Sequence, residues 1–393
     1  MPFSGPTHST RLTRPWGLAS LCGAAALLAA CASTQTTDSP TTTATPAVAA
    51  TSAASEPTLA ASSPSQTISA TSSNKSVRKN GEEYRQREDA KALAQKIAQA
   101  QQLPLDWVWQ EMAQARYRET VAKLIMPASS STAKNWVAYK SRFVEPIRIR
   151  AGQSFWKTYA NELNKAEQTY GVPASIIAGV LGVETIYGRN TGNFRVLDAL
   201  STLSLDFPTG RSDRSAFFQN ELSEFFKLCY EQKLDPSEVQ GSYAGAIGWP
   251  QFMPSSIRRY AVDFDGDGRI DLQRSPVDAI GSVAKYLADH GWLPQRANYF
   301  DITPPSDPQA LSKLLEPDIL PTFTASQMKG FGVVLPPAAE QYDGKLALVQ
   351  LLNGADTPTL IAGTANFYAI TRYNQSSYYA LAVIQLGQAV SAP

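Results

Sequence analysis

The chain has 393 residues, of which 43% are hydrophobic, and its 35 Lys and Arg against 34 Asp and Glu leave a formal net charge of +1. Near-neutrality argues against a nucleic-acid partner, whose phosphates call for a basic face. Two histidines and three cysteines argue against a multi-histidine zinc site, a disulfide framework, and a Ser-His or Cys-His mechanism. Chemistry must therefore rest on carboxylates, amides, hydroxyls and aromatic rings.

Arg11 and Arg14 precede an apolar segment from Trp16 to Ala30. It is too short to span a bilayer comfortably and ends in small residues, the pattern of a secretory signal. Its last residues, Leu28-Ala29-Ala30-Cys31, match the bacterial lipobox, in which the cysteine is acylated and becomes the mature N-terminus. The plainer alternative is a small residue near a cleavage site. Ala32 in place of Asp after the cysteine predicts sorting to the outer membrane, so residues 1–31 read as a lipoprotein signal peptide. The protein is expected on the periplasmic face, tethered by lipid on Cys31 rather than spanning. Residues 32–80 are almost entirely Ala, Ser, Thr and Pro. They cannot bury enough surface to offset their ordering entropy and read as a disordered tether. His8 departs with the signal, leaving His290 alone.

Residues 81–393 are long enough for a large core with two or three lobes. Apolar spacing predicts helices over Glu82–Ala100 and Leu105–Leu124. Phe155, Tyr159, Leu163, Ala166 and Tyr170 form a helical stripe. Gly171-Val-Pro173 restarts the chain into a helix that runs through Glu184 to Gly188. That helix is apolar nearly all round and so reads as central and buried. Gly179 and Gly182 within it predict close approach by another backbone or a ligand. Tyr379, Val383, Leu386 and Val390 give a last helix, capped by Ser376 or Ser377. Frequent prolines between Pro304 and Gly363, around an apolar Lys345–Leu352, suggest a small strand-containing lobe. The fold class is mainly α, with a minor β part (α+β).

Glu184 is the only acid between Glu167 and Asp198. Surrounded by hydrocarbon, its carboxyl loses hydration when ionised, so its pKa should rise and it can remain protonated near neutral pH. This is what an acid catalyst of glycosidic cleavage needs. The alternative is a buried carboxyl satisfied by a neighbour such as Arg189. In Gly241–Ser256 glycines, aromatics and neutral polar groups alternate without a charge. That suits either a wall that stacks and hydrogen-bonds sugars or a glycine-rich packing loop. Asp263-Phe-Asp-Gly-Asp-Gly-Arg-Ile follows the first half of an EF-hand, with Asp263, Asp265, Asp267 and the Arg269 carbonyl as ligands. Arg274 stands at position twelve, so Asp278 is the substitute acid. The reading is a structural calcium site, against a solvated acidic turn.

The motifs Gly182-Val-Glu-Thr-Ile-Tyr-Gly-Arg189, Leu197–Leu203, Gly241–Gly248 with Gln251–Ser256, Ala279–Val283 and Ile370-Thr-Arg-Tyr-Asn374 occur in that order. Together they closely resemble the membrane-bound lytic murein transglycosylase B family, over roughly Asp106–Val390. The resemblance implies a lysozyme-like helical core with an EF-hand-like calcium loop, an additional helical lobe, and a deep groove for peptidoglycan glycan strands. Residues 81–393 would then be the catalytic domain. Glu184 matches the family's catalytic carboxylate. Tyr139, Arg214, Phe217, Ser242, Gln251, Tyr286, Tyr373, Asn374 and Tyr379 fall on substrate-binding positions. Phe217 stands where relatives carry Tyr, and Pro208–Ser215 is longer than the usual paired-arginine pattern, which leaves the role of Arg211 open. The calcium loop is one residue longer than in some relatives.

With one carboxylate in place of a hydrolase's two, the expected reaction starts with proton donation by Glu184 to the oxygen linking N-acetylmuramic acid to N-acetylglucosamine. The muramoyl C6 hydroxyl then attacks C1 and leaves a 1,6-anhydro end. Asp198 reads as a helix cap rather than a second acid. No cofactor is needed for the chemistry, and a monomer is expected. The rival readings are a hydrolytic muramidase and a non-catalytic, lipid-anchored peptidoglycan-binding protein.

Overall fold

The computed structural model describes residues 79–126 and 134–391; the expected signal segment, Cys31 and nearly all of the tether lie outside them. Helix α1 (Glu88–Gln101) follows one turn of 3₁₀ helix, and α2 (Leu105–Ala113) and α3 (Glu119–Leu124) follow it. These make the additional helical lobe. Sequence spacing predicted one helix over Leu105–Leu124, but the chain leaves the helix at Gln114. The reason is a better offer for its amides: Arg116 N donates to Asp198 Oδ1 and Arg118 N to Thr202 Oγ1.

Helices α4 (Trp136–Phe143), α5 (Pro146–Thr158), α6 (Ala160–Tyr170) and α7 (Ala174–Thr185) come next. The expected helix over Phe155–Tyr170 is divided between α5 and α6, because Tyr159 leaves helical geometry at φ −116° and ψ 30°. Pro173 is the N-cap of α7, and α7 ends at Thr185, before the expected stop at Gly188. Strand β1 (Phe194–Arg195) leads into α8 (Val196–Leu205), followed by α9 (Ser215–Gln232), β2 (Gln240–Gly241), α10 (Pro254–Tyr260) and α11 (Pro276–Asp289). β1 and β2 pair antiparallel.

The chain then builds the small lobe from β3 (Tyr299–Asp301), α12 (Pro308–Leu315), α13 (Ala325–Gly330), α14 (Pro337–Glu340), β4 (Ala347–Asn353) and β5 (Asp356–Gly363). Its antiparallel sheet has the order β3-β5-β4 and shelters a separate apolar cluster that includes Leu314, Met328, Leu346 and Leu348. Helices α15 (Ala365–Thr371) and α16 (Ser377–Ser391) return to the main core.

That core is centred on α7, buried along nearly its whole length, with α16 lying against it. Glycines on both helices permit the approach. A Cβ at Gly179 would lie 2.2 Å from the Val383 carbonyl oxygen, and one at Gly387 would lie 2.1 Å from that of Ser175. Each helix thus offers a glycine where the other offers backbone. The result places Tyr379, in the first turn of α16, beside Glu184 in the last turn of α7.

Candidate active site

Glu184 sits at the C-terminal end of α7, partly open to solvent among otherwise buried neighbours. Tyr379 Oη donates to Glu184 Oε1 at 2.7 Å. Burial pushes the Glu184 carboxyl up from its ordinary 4.5 to about 7, and the Tyr379 hydrogen bond offsets part of that rise. Desolvation therefore dominates. Arg189 is exposed and has no part in this shift.

The backbone beyond Glu184 is unusual. Ile186, Tyr187 and Gly188 all take positive φ, at 54°, 55° and 80°. Two successive non-glycine residues in this region carry strain that surrounding packing must hold. Tyr187 is gripped by its ring, which fills the space left by Gly152 and Gly182. Thr185 Oγ1 donates to the Trp249 carbonyl and accepts from Gly188 N, both at 2.9 Å. Gly188 is required where it stands, since a Cβ there would lie 2.3 Å from the Trp249 ring.

Aromatic side chains extend from Glu184 in one connected series. Tyr373 stacks on Tyr379 with ring centroids 6.0 Å apart and an interplanar angle of 15°. Its hydroxyl donates to the Pro250 carbonyl, joining α15's end to the glycine-rich loop. Tyr286 packs against Tyr373 at 4.9 Å and donates to the Arg372 carbonyl at 2.8 Å. Asn374 follows Tyr373 and is buried. On α4, Tyr139 lies between Phe143 and Tyr378, at 4.8 and 5.7 Å. Burial raises the pKa of its hydroxyl, and so does the charge of Glu184, which places it near the carboxylate.

The loop 241–256 is closely packed, as the second of its sequence readings expected. Gly245 packs on Leu200, Gly241 on the Ala246 carbonyl, and Gly248 on that of Leu272, so the glycines serve packing. The polar members are fixed within it. Ser242 Oγ accepts from Ala246 N at 3.1 Å. Gln251, at φ 50°, donates through Nε2 to the Thr191 and Gly248 carbonyls at 3.0 and 2.9 Å. Its amide plane is thereby set before any ligand arrives.

Arg214 and Phe217 form a cluster of their own at the start of α9. The Arg214 guanidinium lies 4.6 Å from the Phe217 ring centre, and burial followed by the nearby charge of Arg211 lowers its pKa. Phe217 is 36% exposed. Arg211 turns the other way: it lies over Phe207 and donates to the Ile125 carbonyl. It is part of a cavity of about 770 Å³ between α1, α8 and α9.

In the acidic loop, carboxylate oxygens of Asp263, Asp265 and Asp278 come within 4.8 Å of one another. Three hard oxygen donors on a folded loop fit a calcium ion. Asp267 stands outside this trio, its Oδ1 accepting from Arg269 N at 2.8 Å. Asp278 also braces the loop directly, accepting from Phe264 N and Asp271 N, each at 2.8 Å. Phe264 packs on Gly281 of α11, the helix that carries Tyr286.

Asp198 differs from its expected role as a helix cap. It is 1% exposed, and its carboxylate receives Arg116 N and the side chains of Arg118 and Arg195. It ties the additional helical lobe to the core. Sequence reading also passed over Arg148, which is 7% exposed and donates through Nε to the Gly182 carbonyl at 2.8 Å. The available signal was its placement four residues before Gly152, on one face of α5.

The chain is similar to known proteins in sequence and fold. A family model described as the transglycosylase SLT domain matches residues 58–388. Membrane-bound lytic murein transglycosylase B of Escherichia coli is 39% identical over 290 residues, covering 71% of this chain and 76% of the relative. Soluble lytic transglycosylase SltB1 of Pseudomonas aeruginosa superposes with a TM-score of 0.70 at 38% identity, over 77% of this chain and 98% of that one. The Escherichia coli lytic transglycosylase Slt35 in complex with calcium gives a TM-score of 0.68 at 36% identity, over 79% and 95%. The chain therefore belongs to the transglycosylase SLT domain family, as an enzyme of the lytic murein transglycosylase B type.

Proposed function

We propose that the enzyme cleaves the β-1,4 bond between N-acetylmuramic acid and N-acetylglucosamine in peptidoglycan and leaves 1,6-anhydromuramoyl ends. The observation that carries this is the state of Glu184: one desolvated, partly accessible carboxyl with a pKa near 7, held by a tyrosine, with no second carboxylate among the groups that set its proton affinity. Protonated Glu184 donates to the glycosidic oxygen, and the bond to C1 breaks. The substrate's own acetamido group steadies the oxocarbenium-like centre. Glu184, now ionised and accepting from Tyr379, removes the proton of the muramoyl C6 hydroxyl as that oxygen bonds to C1. Glu184 ends protonated, as it began, and no water is consumed. The intramolecular nucleophile brings the proximity advantage.

Tyr139, Tyr286, Tyr373, Asn374, Tyr379, Ser242 and Gln251 line the glycan groove in this reading, with Arg214 and Phe217 further along it. Their fixed rings and amides suit stacking on pyranose faces and reading of acetamido groups. Asp263, Asp265 and Asp278 would hold calcium, with Asp267 and the Arg269 carbonyl as further oxygen donors; the ion supplies no chemistry and stiffens the loop against α11. Residues 81–393 are the catalytic part, 32–80 the tether and 1–31 the signal, with lipid on Cys31 holding a monomer to the periplasmic face of the outer membrane. No helix among the described residues is long and apolar enough to cross a membrane.

The test is mass spectrometry of soluble products from purified peptidoglycan treated with the chain beginning after residue 31. Anhydro ends are about 18 Da lighter than hydrolysis products, by one water. Reducible muramic ends would establish water as the nucleophile, and absence of product would favour a binding protein.

A further inference from the structure

We infer that Arg148 is a positioning residue for this reaction, its guanidinium clamping the end of the helix that carries Glu184 to the end of the helix that carries Tyr139. The inference rests on the reading of Glu184 as the acid. Arg148 Nε donates to the carbonyl of Gly182, two residues before Glu184, at 2.8 Å, and Nη1 donates to the carbonyl of Arg142, three residues after Tyr139, at 2.7 Å. The same guanidinium lies 5.2 Å from the centre of the Phe143 ring, and Phe143 packs against Tyr139. One planar group therefore touches both sides of the acid's surroundings.

A simple helix-capping role does not account for it. The Gly182 carbonyl already accepts Ile186 N at 3.2 Å, so the helix end is closed without Arg148. Its carboxylate neighbour Glu145 stands 3.5 Å away and is committed to the amides of Ile147 and Arg148 at the start of α5. A buried cation so lightly paired costs desolvation free energy that an apolar residue would not. What the cation provides is direction: the planar fork holds two carbonyls on different helices at once, which an ammonium on a flexible stem does less well. The strained turn after Glu184 leans on the same face of α5. Gly152, one turn beyond Arg148, admits the Tyr187 ring, and the Arg148 charge reaches the Tyr187 hydroxyl.

The experiment compares the full-length chain with Arg148→Lys and Arg148→Met. Carbon NMR follows the Glu184 carboxyl, identified by its loss in Glu184→Gln. Tyr139, Tyr373 and Tyr379, the titratable groups that face it, stay protonated in this range because burial raises all three. In Arg148→Met the loosened helix end admits water, and the midpoint should fall by about half a unit or more. On glycan strands kcat should fall about 10- to 100-fold, the range for a misplaced catalytic group, with Arg148→Lys intermediate. Arg148→Met and Tyr139→Phe should combine non-additively. A merely structural role would lower the melting temperature and leave the titration and the turnover of folded protein unchanged, which would overturn the inference. Should Arg148→Met fail to fold, wild-type titration and kcat in Arg148→Lys would overturn it equally. A wild-type enzyme without turnover would refute the proposed function, while the NMR arm still judges the clamp.

Discussion

Replacing Glu184 by Gln should abolish turnover and, at alkaline pH, make the protein more stable. The folded carboxyl has a pKa of about 7 against an ordinary 4.5. Below pH 4.5 both folded and unfolded states hold the proton and the group costs nothing. Between 4.5 and 7 the folded state keeps a proton that the unfolded chain has released, so stability falls as pH rises. Above 7 the full cost is present. Two to three units at 1.36 kcal/mol each give an upper bound of about 4 kcal/mol, which partial solvent access reduces to about 1–3 kcal/mol. Glutamine fills the same volume, can still accept from Tyr379, and never ionises. Urea unfolding of both proteins at pH 4 and pH 8 measures the difference. The variant should match wild type at pH 4 and exceed it by about 1–3 kcal/mol at pH 8. A stability difference that does not change with pH, or a variant less stable at pH 8, would refute the claim that burial sets this pKa.

Tyr379→Phe removes a donor that favours the ionised form, so the alkaline limb of the pH–rate profile should move up by about one unit; a downward move would contradict the assigned direction of that hydrogen bond. Calcium should raise the melting temperature in a concentration-dependent way, and Asp278→Asn should erase the response; melting curves that are identical with calcium and with chelator would remove the metal. Asp198→Ala should destabilise the fold by about 3 kcal/mol, as loss of one member of a buried charge network does, and chemical denaturation would show it. Cys31→Ala should move the protein from the membrane to the soluble fraction on fractionation, and an unchanged distribution would argue against the lipid anchor.

Much of the site was legible along the chain because its signals are local. One acid in an apolar helix marked Glu184, and burial does raise its pKa. Gly179 announced a close backbone contact, and Val383 supplies it. Alternating acids marked the loop at Asp263. Helix boundaries were less legible wherever a distant group outbid the helix for its amides. Leu105–Leu124 reads as one helix until Asp198 and Thr202, more than 80 residues on, take the N–H groups of Arg116 and Arg118. α7 stops short of Gly188 because Thr185, Trp249 and the Tyr187 ring fix another path. Arg148 gave only a weak signal, its spacing from Gly152, since an arginine on a mixed helix such as α5 ordinarily faces water.

The division has a physical cause. Composition and periodicity determined the mainly helical class and the acid in a greasy helix, because burial preference and helical pitch act between residues a few positions apart. Which hydroxyl meets Glu184, which carbonyls Arg148 joins, and which acids gather at the loop were decided by tertiary structure. Those contacts cross as many as 195 positions, and their partners come within reach only once α7, α16, α4 and α5 have packed.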